Sequence, residues 1–141
     1  MTNTLPVSFE DVLSAQERIK SLVKRTPVLT CSTIDEMAGR KLFFKCENFQ
    51  KVGAFKFRGA CNAVLSLEDS EISQGVATHS SGNHAQAVAL AARMRGVAAH
   101  IVMIESSPEV KVRAVRGYGA RVVFCKGITE RIPTCNRIVA E

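Results

Sequence analysis

The sequence predicts an α/β fold built on a parallel sheet. Three short apolar segments with strand character, at 75–78, 100–104 and 121–125, alternate with two segments of helical periodicity. Strands connected by helices in this way form right-handed βαβ crossovers, and therefore a parallel sheet. The chain has 141 residues, of which 46% are hydrophobic, and this is enough apolar material for one packed core.

The first predicted helix lies near the start of the chain. Ser8 and Asp11 match the S-x-x-D capping pattern, and apolar residues follow at helical spacing. We expect this helix to end near Lys24, because Pro27 restricts the residue before it to extended conformations. The other elements predicted before residue 75 are an extended segment at 28–30, a short helix capped by Ser32 or Thr33 and closed by Gly39, a strand at 41–46 and a helix at 55–67.

The elements of the second half are bounded by clear end signals. An alanine-rich helix is predicted at 83–95, where Gly96 stops it. Ser107 is predicted as the N-cap of the next helix, with Pro108 at its first position, and we expect one more helix after the third strand. Ligands of parallel sheets bind beyond the carboxyl ends of the strands, so the turn at 79–83 is the expected site.

The composition argues against two classes of protein. The 19 Lys and Arg exceed the 13 Asp and Glu, giving a net charge of +6, but the cations form no cluster and no aromatic residues alternate with them. A mildly basic surface is therefore favoured over nucleic-acid binding. No apolar stretch approaches the ~20 residues of a membrane span, and no apolar core of a signal peptide is visible.

The five cysteines lack metal-binding spacing, so we expect reduced thiols, no metal site and a cytoplasmic protein.

The first motif that could take part in a reaction surrounds Lys56, which lies at the start of the helix predicted at 55–67. Phe55 and Phe57 flank it, and apolar surroundings at a helix start would lower the pKa of the lysine. A neutral lysine amine can attack a carbonyl carbon. The residues alone leave a second interpretation open, namely a surface lysine on an amphipathic helix.

A second motif lies at the end of the first predicted strand of the sheet. Ser80, Ser81 and Asn83, with the glycine between them, place hydroxyls, an amide and free backbone N–H groups around one point. Such a turn suits a carboxylate or a phosphate. An ordinary N-cap on a buried helix is the alternative. His79 and His84 are five residues apart, which is not the spacing of a helical metal pair.

Together, the two motifs resemble those of the serine racemase and serine/threonine dehydratase family, which are fold-type II pyridoxal-phosphate enzymes. Residues 47–60 (E-x4-V-G-A-F-K-F-R-G-A) are similar to the family's cofactor-attachment signature, and residues 80–86 (S-S-G-N-H-A-Q) to its substrate-carboxylate loop. The resemblance implies a three-layer fold with a parallel sheet. It assigns 1–52 to the N-terminal elements of the large domain, which is truncated, and 53–141 to a nearly complete small domain.

The resemblance also implies roles for five residues. Lys56 forms the Schiff base with pyridoxal phosphate and then acts as the base that removes the substrate α-proton. Phe55 packs against the cofactor ring. Asn83 hydrogen-bonds the 3′ oxygen of the cofactor, and together with Ser80 and His84 it holds the carboxylate of the amino-acid substrate.

Ser81 is the residue that separates racemases from plain dehydratases in this family. A hydroxyl on the face opposite Lys56 can return a proton with inverted configuration. The resemblance therefore favours a serine racemase and dehydratase, which interconverts L- and D-serine and eliminates water to give pyruvate and ammonia. A threonine dehydratase-type ammonia-lyase is the alternative activity, and hydroxyaspartate is a third substrate left open.

The resemblance further implies a homodimer in the full-length protein, with Mg²⁺ and ATP as activators. Two positions of the expected nucleotide site, Cys31 and Val52, lack the hydroxyl that is common in the family, which puts nucleotide activation in doubt. The remaining nucleotide-binding positions are Ser32, Thr33, Lys51, Gln86, Lys111 and Tyr118.

The family's glycine-rich phosphate loop and metal carboxylates correspond to positions beyond residue 141. We therefore expect a fragment with weak activity or none by itself. A non-catalytic short isoform that modulates a full-length subunit is the second alternative.

Overall fold

The computed structural model describes residues 6–141, so the first five residues of the predicted 1–52 segment lie outside the described part. It contains short 3-10 turns at Glu47–Phe49, Lys51–Gly53 and Ile128–Glu130. The helices are Phe9–Ile19 (α1), Ser32–Ala38 (α2), Lys56–Ser66 (α3), Asp69–Ile72 (α4), Asn83–Arg95 (α5), Glu109–Gly117 (α6) and Arg131–Ala140 (α7). The strands are Val28–Leu29 (β1), Phe44–Lys45 (β2), Val76–His79 (β3), Ala99–Ile104 (β4) and Arg121–Cys125 (β5).

The main sheet is parallel, with strand order β3-β4-β5. Val76 pairs with Ala99, and His100 pairs with Arg121, so the three strands end at the same edge. The helices α5 and α6 make the two crossovers between them. The predicted α/β fold with a parallel sheet is therefore confirmed.

Alternate residues of β4 point to opposite faces of this sheet, as the two-residue period of a strand requires. Ile101 and Met103 belong to the core formed with α3 and α5, whereas Val102 belongs to a smaller cluster with Cys125 and Cys135. Because α7 supplies Cys135, helices cover both faces of the sheet. This arrangement confirms the predicted three layers.

The helix α5 has the predicted bounds and packs directly against α3, β3 and β4. Gly96 ends it with φ +80°, a left-handed conformation that glycine adopts without steric cost. Its buried side chains are Val88 and five alanines, at positions 85, 87, 89, 91 and 92. Small side chains allow the backbone of α5 to approach both neighbouring layers closely.

The first helix is shorter than predicted, because α1 ends at Ile19 and not near Lys24. Leu22 and Val23 follow in a turn and pack against the main core. The backbone N–H of Lys24 then donates to the side chain of Gln50 at 3.0 Å. The helix therefore ends before the restriction from Pro27 applies, and the residues that follow it make tertiary contacts instead.

Two further predictions in this region are wrong. The N-cap of α2 is Cys31, which makes no capping hydrogen bond, so neither Ser32 nor Thr33 caps the helix. The predicted strand at 41–46 is only the two residues of β2, which pair antiparallel with β1. Each strand of this two-stranded sheet has only one neighbour, so no third strand stabilises a longer run of hydrogen bonds.

The N-cap prediction for α6 is also wrong by one residue. Pro108 occupies the N-cap with φ −54° and ψ 133°, and the helix begins at Glu109. The extended ψ of Pro108 keeps it outside the helix, so the hydroxyl of Ser107 lies too far upstream to cap the helix.

All five cysteines are free thiols, and Cys61, Cys125 and Cys135 are buried. Burial raises the pKa of the Cys61 and Cys135 thiols. Among the helices of residues 6–141, none combines the length and apolar character that crossing a membrane requires. The same residues contain no cluster of three or more His, Cys, Asp or Glu side chains able to hold a metal ion.

Candidate active site

Lys56 is the first residue of α3 and follows a tight reversal of the chain. Within this reversal, Val52 has φ 58°, a left-handed conformation that is unusual for a β-branched residue, and Gly53 continues it with φ 66°. Ala54 is then buried against the core. A strained and well-packed turn therefore fixes the point from which the Lys56 side chain projects.

The side chain of Lys56 is exposed, with its Nζ 4.8 Å from the centroid of the Phe55 ring. Phe57 is fully buried in the core. Successive residues of a helix point about 100° apart, so the phenylalanine that fills the core does not also cover the lysine. Of the two flanking phenylalanines, Phe55 therefore lies beside the Nζ of Lys56, whereas Phe57 belongs to the core.

A polar cluster fixes the first turn of α3. Arg58 donates to Glu47 twice, from Nε at 2.8 Å and from Nη2 at 2.7 Å, and the Thr26 hydroxyl donates to the same carboxylate at 2.6 Å. The hydrogen bonds from Arg58 are the main cause that lowers the pKa of Glu47 to about 2. Because Arg58 lies two residues after Lys56, this cluster ties the start of the lysine helix to the segment before β1.

Gln50 connects the same segments through its buried side chain. The amide is 3% exposed; it donates to the Lys24 carbonyl at 2.8 Å and accepts from the backbone N–H groups of Lys24 and Lys51 at 3.0 Å each. Sequence reasoning missed this role, since no local pattern marks a buried glutamine. The pairing of Glu47 with Arg58 was not predicted either, although both residues lie inside the 47–60 motif.

The serine loop follows β3 and is held by the neighbouring strand. The N–H of Ser80 donates to the carbonyl of Val102 at 3.1 Å, which extends the ladder between β3 and β4 by one bond. The Ser80 hydroxyl then accepts from the N–H of Gly82 at 3.2 Å. The hydroxyls of Ser81 and Ser107 form a hydrogen bond of 2.9 Å. Sequence reasoning missed this contact, because Ser107 is 26 residues away along the chain.

The helix α5 begins at this loop without a side-chain cap. Gly82 is the N-cap, so the alternative interpretation of Ser80, Ser81 or Asn83 as an ordinary capping residue is wrong. Asn83 and His84 lie in the first turn of this helix, where both residues keep much of their surface exposed and the His84 ring is partly buried. The backbone N–H groups at such a terminus have no partner inside the helix, and they favour an anion.

Lys56 and His84 line one cavity of about 510 Å³, together with Phe55 and Thr78. Its remaining wall comes mainly from small and apolar residues of α3. Partial burial, followed by the positive charges of Lys56 and His79, lowers the pKa of His84. The cavity therefore joins the two motifs. Ser80, Ser81 and Asn83 do not line it, but they belong to the adjoining loop and helix start.

The structure does not bring the predicted nucleotide positions together through hydrogen bonds. Ser32 and Thr33 lie in the first turn of α2, Gln86 on α5 and Lys111 on α6. No hydrogen bond among residues 6–141 joins any two of these positions. The Nζ of Lys51 instead lies 5.5 Å from the Phe57 ring, and Tyr118 packs beside the core. A nucleotide site at these positions stays a prediction.

The chain belongs to the family of pyridoxal-phosphate dependent enzymes, whose family model matches residues 19–141. Its relatives include the serine racemase of Dictyostelium discoideum, which is 52% identical over 124 residues, or 88% of this chain and 38% of that protein. The L-threo-3-hydroxyaspartate ammonia-lyase of Saccharomyces cerevisiae is also 52% identical, over 123 residues that make up 87% of this chain and 38% of the relative.

The solved structures support the same family. The maize serine racemase matches with a TM-score of 0.89 and 47% identity, over 96% of this chain and 42% of that one. This likeness confirms the predicted fold of the fold-type II pyridoxal-phosphate enzymes. The chain spans about two-fifths of the length of the relatives it matches.

The residues around the cavity fit the ring portion of pyridoxal phosphate. A primary amine from Lys56, an exposed aromatic face from Phe55 and an apolar wall from α3 surround a volume typical of small-molecule sites. The Nδ1 atom of His79, close to this loop, is buried without a hydrogen-bond partner among the described residues. A buried polar atom of this kind needs a partner such as a ligand, an ion or a water molecule.

Proposed function

We propose that this chain carries the lysine and the substrate loop of a pyridoxal-phosphate dependent serine racemase and dehydratase. The activity would interconvert L- and D-serine and also eliminate water from serine to give pyruvate and ammonia. The observation that carries the proposal is that Lys56 of α3 and His84 of α5 line one cavity, beside the loop that holds Ser81.

The proposed chemistry places two proton carriers on opposite faces of the substrate. Pyridoxal phosphate, when bound, supplies an electron-withdrawing ring that stabilises negative charge on the substrate α-carbon. The Nζ of Lys56 takes the α-proton from one face. The hydroxyl of Ser81 returns a proton from the other face, which inverts the configuration. A single carrier would return the proton to the face it left, so inversion needs both residues.

The substrate carboxylate is proposed to bind at the start of α5. The helix terminus offers uncapped N–H groups, and Ser80, Asn83 and His84 add side-chain donors beside them. The lowered pKa of His84 keeps its imidazole neutral near pH 7, where its N–H can still donate. Positive charge for the carboxylate would then come from the helix terminus.

A second candidate activity is an ammonia-lyase that acts on hydroxyaspartate or threonine. The observation that favours it is the 52% identity to the Saccharomyces cerevisiae enzyme, which equals the identity to the Dictyostelium discoideum racemase. The two activities share Lys56 and differ in their dependence on Ser81. Elimination needs only the first proton transfer and loss of the β-hydroxyl, whereas racemisation also needs the second proton.

The test is chemical labelling combined with turnover. The chain is incubated with pyridoxal phosphate and reduced with borohydride, and peptide mass analysis then locates the pyridoxyl group. We expect it on Lys56 and expect labelling of this peptide to disappear in Lys56→Ala. A Lys126→Ala variant, which removes a lysine outside the cavity, is the matched control. A label distributed over many lysines would contradict the assignment.

Turnover then separates the candidate activities. Serine, threonine or hydroxyaspartate is added to the chain loaded with pyridoxal phosphate. The products measured are D-serine, pyruvate, 2-oxobutyrate and oxaloacetate. D-serine formation would support the racemase, and keto acids alone would favour the lyase. Specific labelling of Lys56 without any turnover would favour the non-catalytic role of a chain that modulates a longer subunit.

A further inference from the structure

We propose that Ser107 is a positioning residue, which holds the Ser81 hydroxyl in one orientation and stabilises its oxygen when the proton has left. The proposal rests on the proposed function, in which Ser81 is the second proton carrier. Its direct support is the hydrogen bond of 2.9 Å between the Ser107 and Ser81 hydroxyl oxygens.

The backbone around both serines holds this contact in place. Ser81 lies two residues beyond His79, the last residue of β3, and His79 pairs with Val102 of β4. The N–H of Ser107 donates to the carbonyl of Ile104, the last residue of β4, at 2.9 Å. The two hydroxyls therefore stand on loops that leave neighbouring strands at the same edge of the sheet.

Ser107 has no competing role at the helix that follows. Because Pro108 is the N-cap of α6, the Ser107 hydroxyl does not cap it. Both serines are half-buried, and in residues 6–141 neither hydroxyl has a second hydrogen-bond partner. With Ser107 as the donor, the hydrogen of Ser81 is left without an acceptor inside this part of the chain and can be directed to a substrate.

The proposal assigns the hydrogen bond a direction, with Ser107 as donor and Ser81 as acceptor, because only this direction leaves the Ser81 hydrogen for the substrate. When Ser81 gives its proton to the substrate α-carbon, the Ser81 O–H bond breaks and its electron pair stays on the Ser81 oxygen. A new C–H bond forms at the α-carbon. Ser107 keeps its own proton throughout, and its O–H donates to the oxygen that has become negative. A hydrogen bond to the charged form favours that form, so Ser107 makes Ser81 a better proton donor.

The first test measures orientation and needs no cofactor. The χ1 rotamer populations of Ser81 are determined from NMR scalar couplings in the isotope-labelled chain. We expect one dominant rotamer in the unaltered chain, averaging among rotamers in Ser107→Ala, and a dominant rotamer again in Ser107→Thr, which keeps the hydroxyl. Ser106→Ala is the matched control, because Ser106 is the exposed neighbour. Unchanged Ser81 populations in a folded Ser107→Ala chain would overturn the proposal.

The second test measures the ratio of products on the loaded protein. We expect Ser107→Ala to lower the ratio of D-serine to pyruvate formed from L-serine by about fivefold to tenfold, as loss of one hydrogen bond at a reacting group would do. A general loss of structure would lower both products together and leave their ratio unchanged. An unchanged ratio would overturn the catalytic part of the proposal.

The two tests distinguish this proposal from the proposed function. If the loaded protein forms no D-serine while the Ser81 rotamer still responds to Ser107→Ala, the racemase assignment fails and the positioning of Ser81 stands. If D-serine forms and the rotamer does not respond, the racemase assignment stands and the role of Ser107 is refuted.

Discussion

The guanidinium of Arg58 forms a two-pronged hydrogen bond with the carboxylate of Glu47, at 2.8 and 2.7 Å. The two side chains are 31% and 18% exposed, so water screens the pair only in part. Since Arg58 stands on the first turn of α3, this pair fixes the helix that presents Lys56. Its strength can be measured without any cofactor.

We predict that Glu47→Gln lowers the free energy of unfolding by about 2 kcal/mol at pH 7. The pKa of Glu47 is lowered from 4.5 to about 2 in the folded chain, mainly by the Arg58 hydrogen bonds. This contribution is therefore complete above pH 4.5 and is lost as the pH falls toward 2. Urea unfolding of both chains from pH 7 to pH 2 measures it.

The control for this prediction is Glu17→Gln on α1. Glu17 pairs with Lys20, but these side chains are 67% and 62% exposed. Exposed pairs contribute little to stability, so the unfolding free energy should hardly change. If the Glu47→Gln chain differs from the unaltered one equally at pH 7 and at pH 2, the loss of charge is not the cause.

We predict that Lys56→Ala raises the pKa of His84. Burial is the main cause that lowers this pKa, and the positive charge of Lys56 is the next. Removing the charge should therefore move the pKa upward without restoring the usual value of 6.5. NMR titration of the imidazole resonances measures the shift, with His84→Gln to assign the signal. Lys126→Ala should leave it in place, and a downward shift in Lys56→Ala would contradict the shared cavity.

We predict that Gly75→Ala destabilises the fold far more than Gly96→Ala. Gly75 has φ +99°, and a Cβ at this position would lie 2.5 Å from the carbonyl oxygen of Ala98. Gly96 has φ +80° with open space around it. We expect a loss of about 3 kcal/mol for Gly75→Ala, against about 1 kcal/mol for Gly96→Ala, which has the backbone cost alone. Thermal unfolding compares them, and equal losses would show that the contact with Ala98 relaxes.

We predict that two of the five thiols react quickly with a thiol reagent in the folded chain. Cys31 and Cys46 are half-buried, whereas Cys61, Cys125 and Cys135 are buried. For Cys61 and Cys135 the raised pKa also lowers the thiolate fraction. The time course of Ellman's reagent at pH 8 checks this, with all five reacting in urea. Rapid reaction of a third thiol would mean that one side of the sheet opens readily.

The regular part of the fold was predictable because its signals are local. The helix α5 has the predicted bounds, since the small polar turn before Asn83 and the glycine after Arg95 act within a few residues. The sheet followed from the alternation of strands and helices. The lysine helix and the serine loop were also found, because both motifs are continuous in sequence.

What the sequence did not predict depends on contacts between distant residues. α1 ends at Ile19, and the backbone N–H of Lys24 bonds to Gln50 instead of continuing the helix; no pattern near Ile19 records that bond. Ser107 was predicted as a helix cap from its neighbour Pro108, but its hydroxyl contacts Ser81 across two loops. The exposure of Lys56 was unpredictable for the same reason, because it depends on which of the two flanking phenylalanines packs into the core.

The alanines of α5 have a consequence for how the two motifs are held relative to each other. The buried contact surface of this helix consists largely of methyl groups, which have no rotamers to change. The helix α3 packs against α5 with Phe57 and Val64 in the same core, so the small α5 side chains bring the two backbones close together. A larger residue at a buried alanine beyond residue 86 would force α5 away from its neighbours, and it would displace the two motifs relative to each other although it belongs to neither.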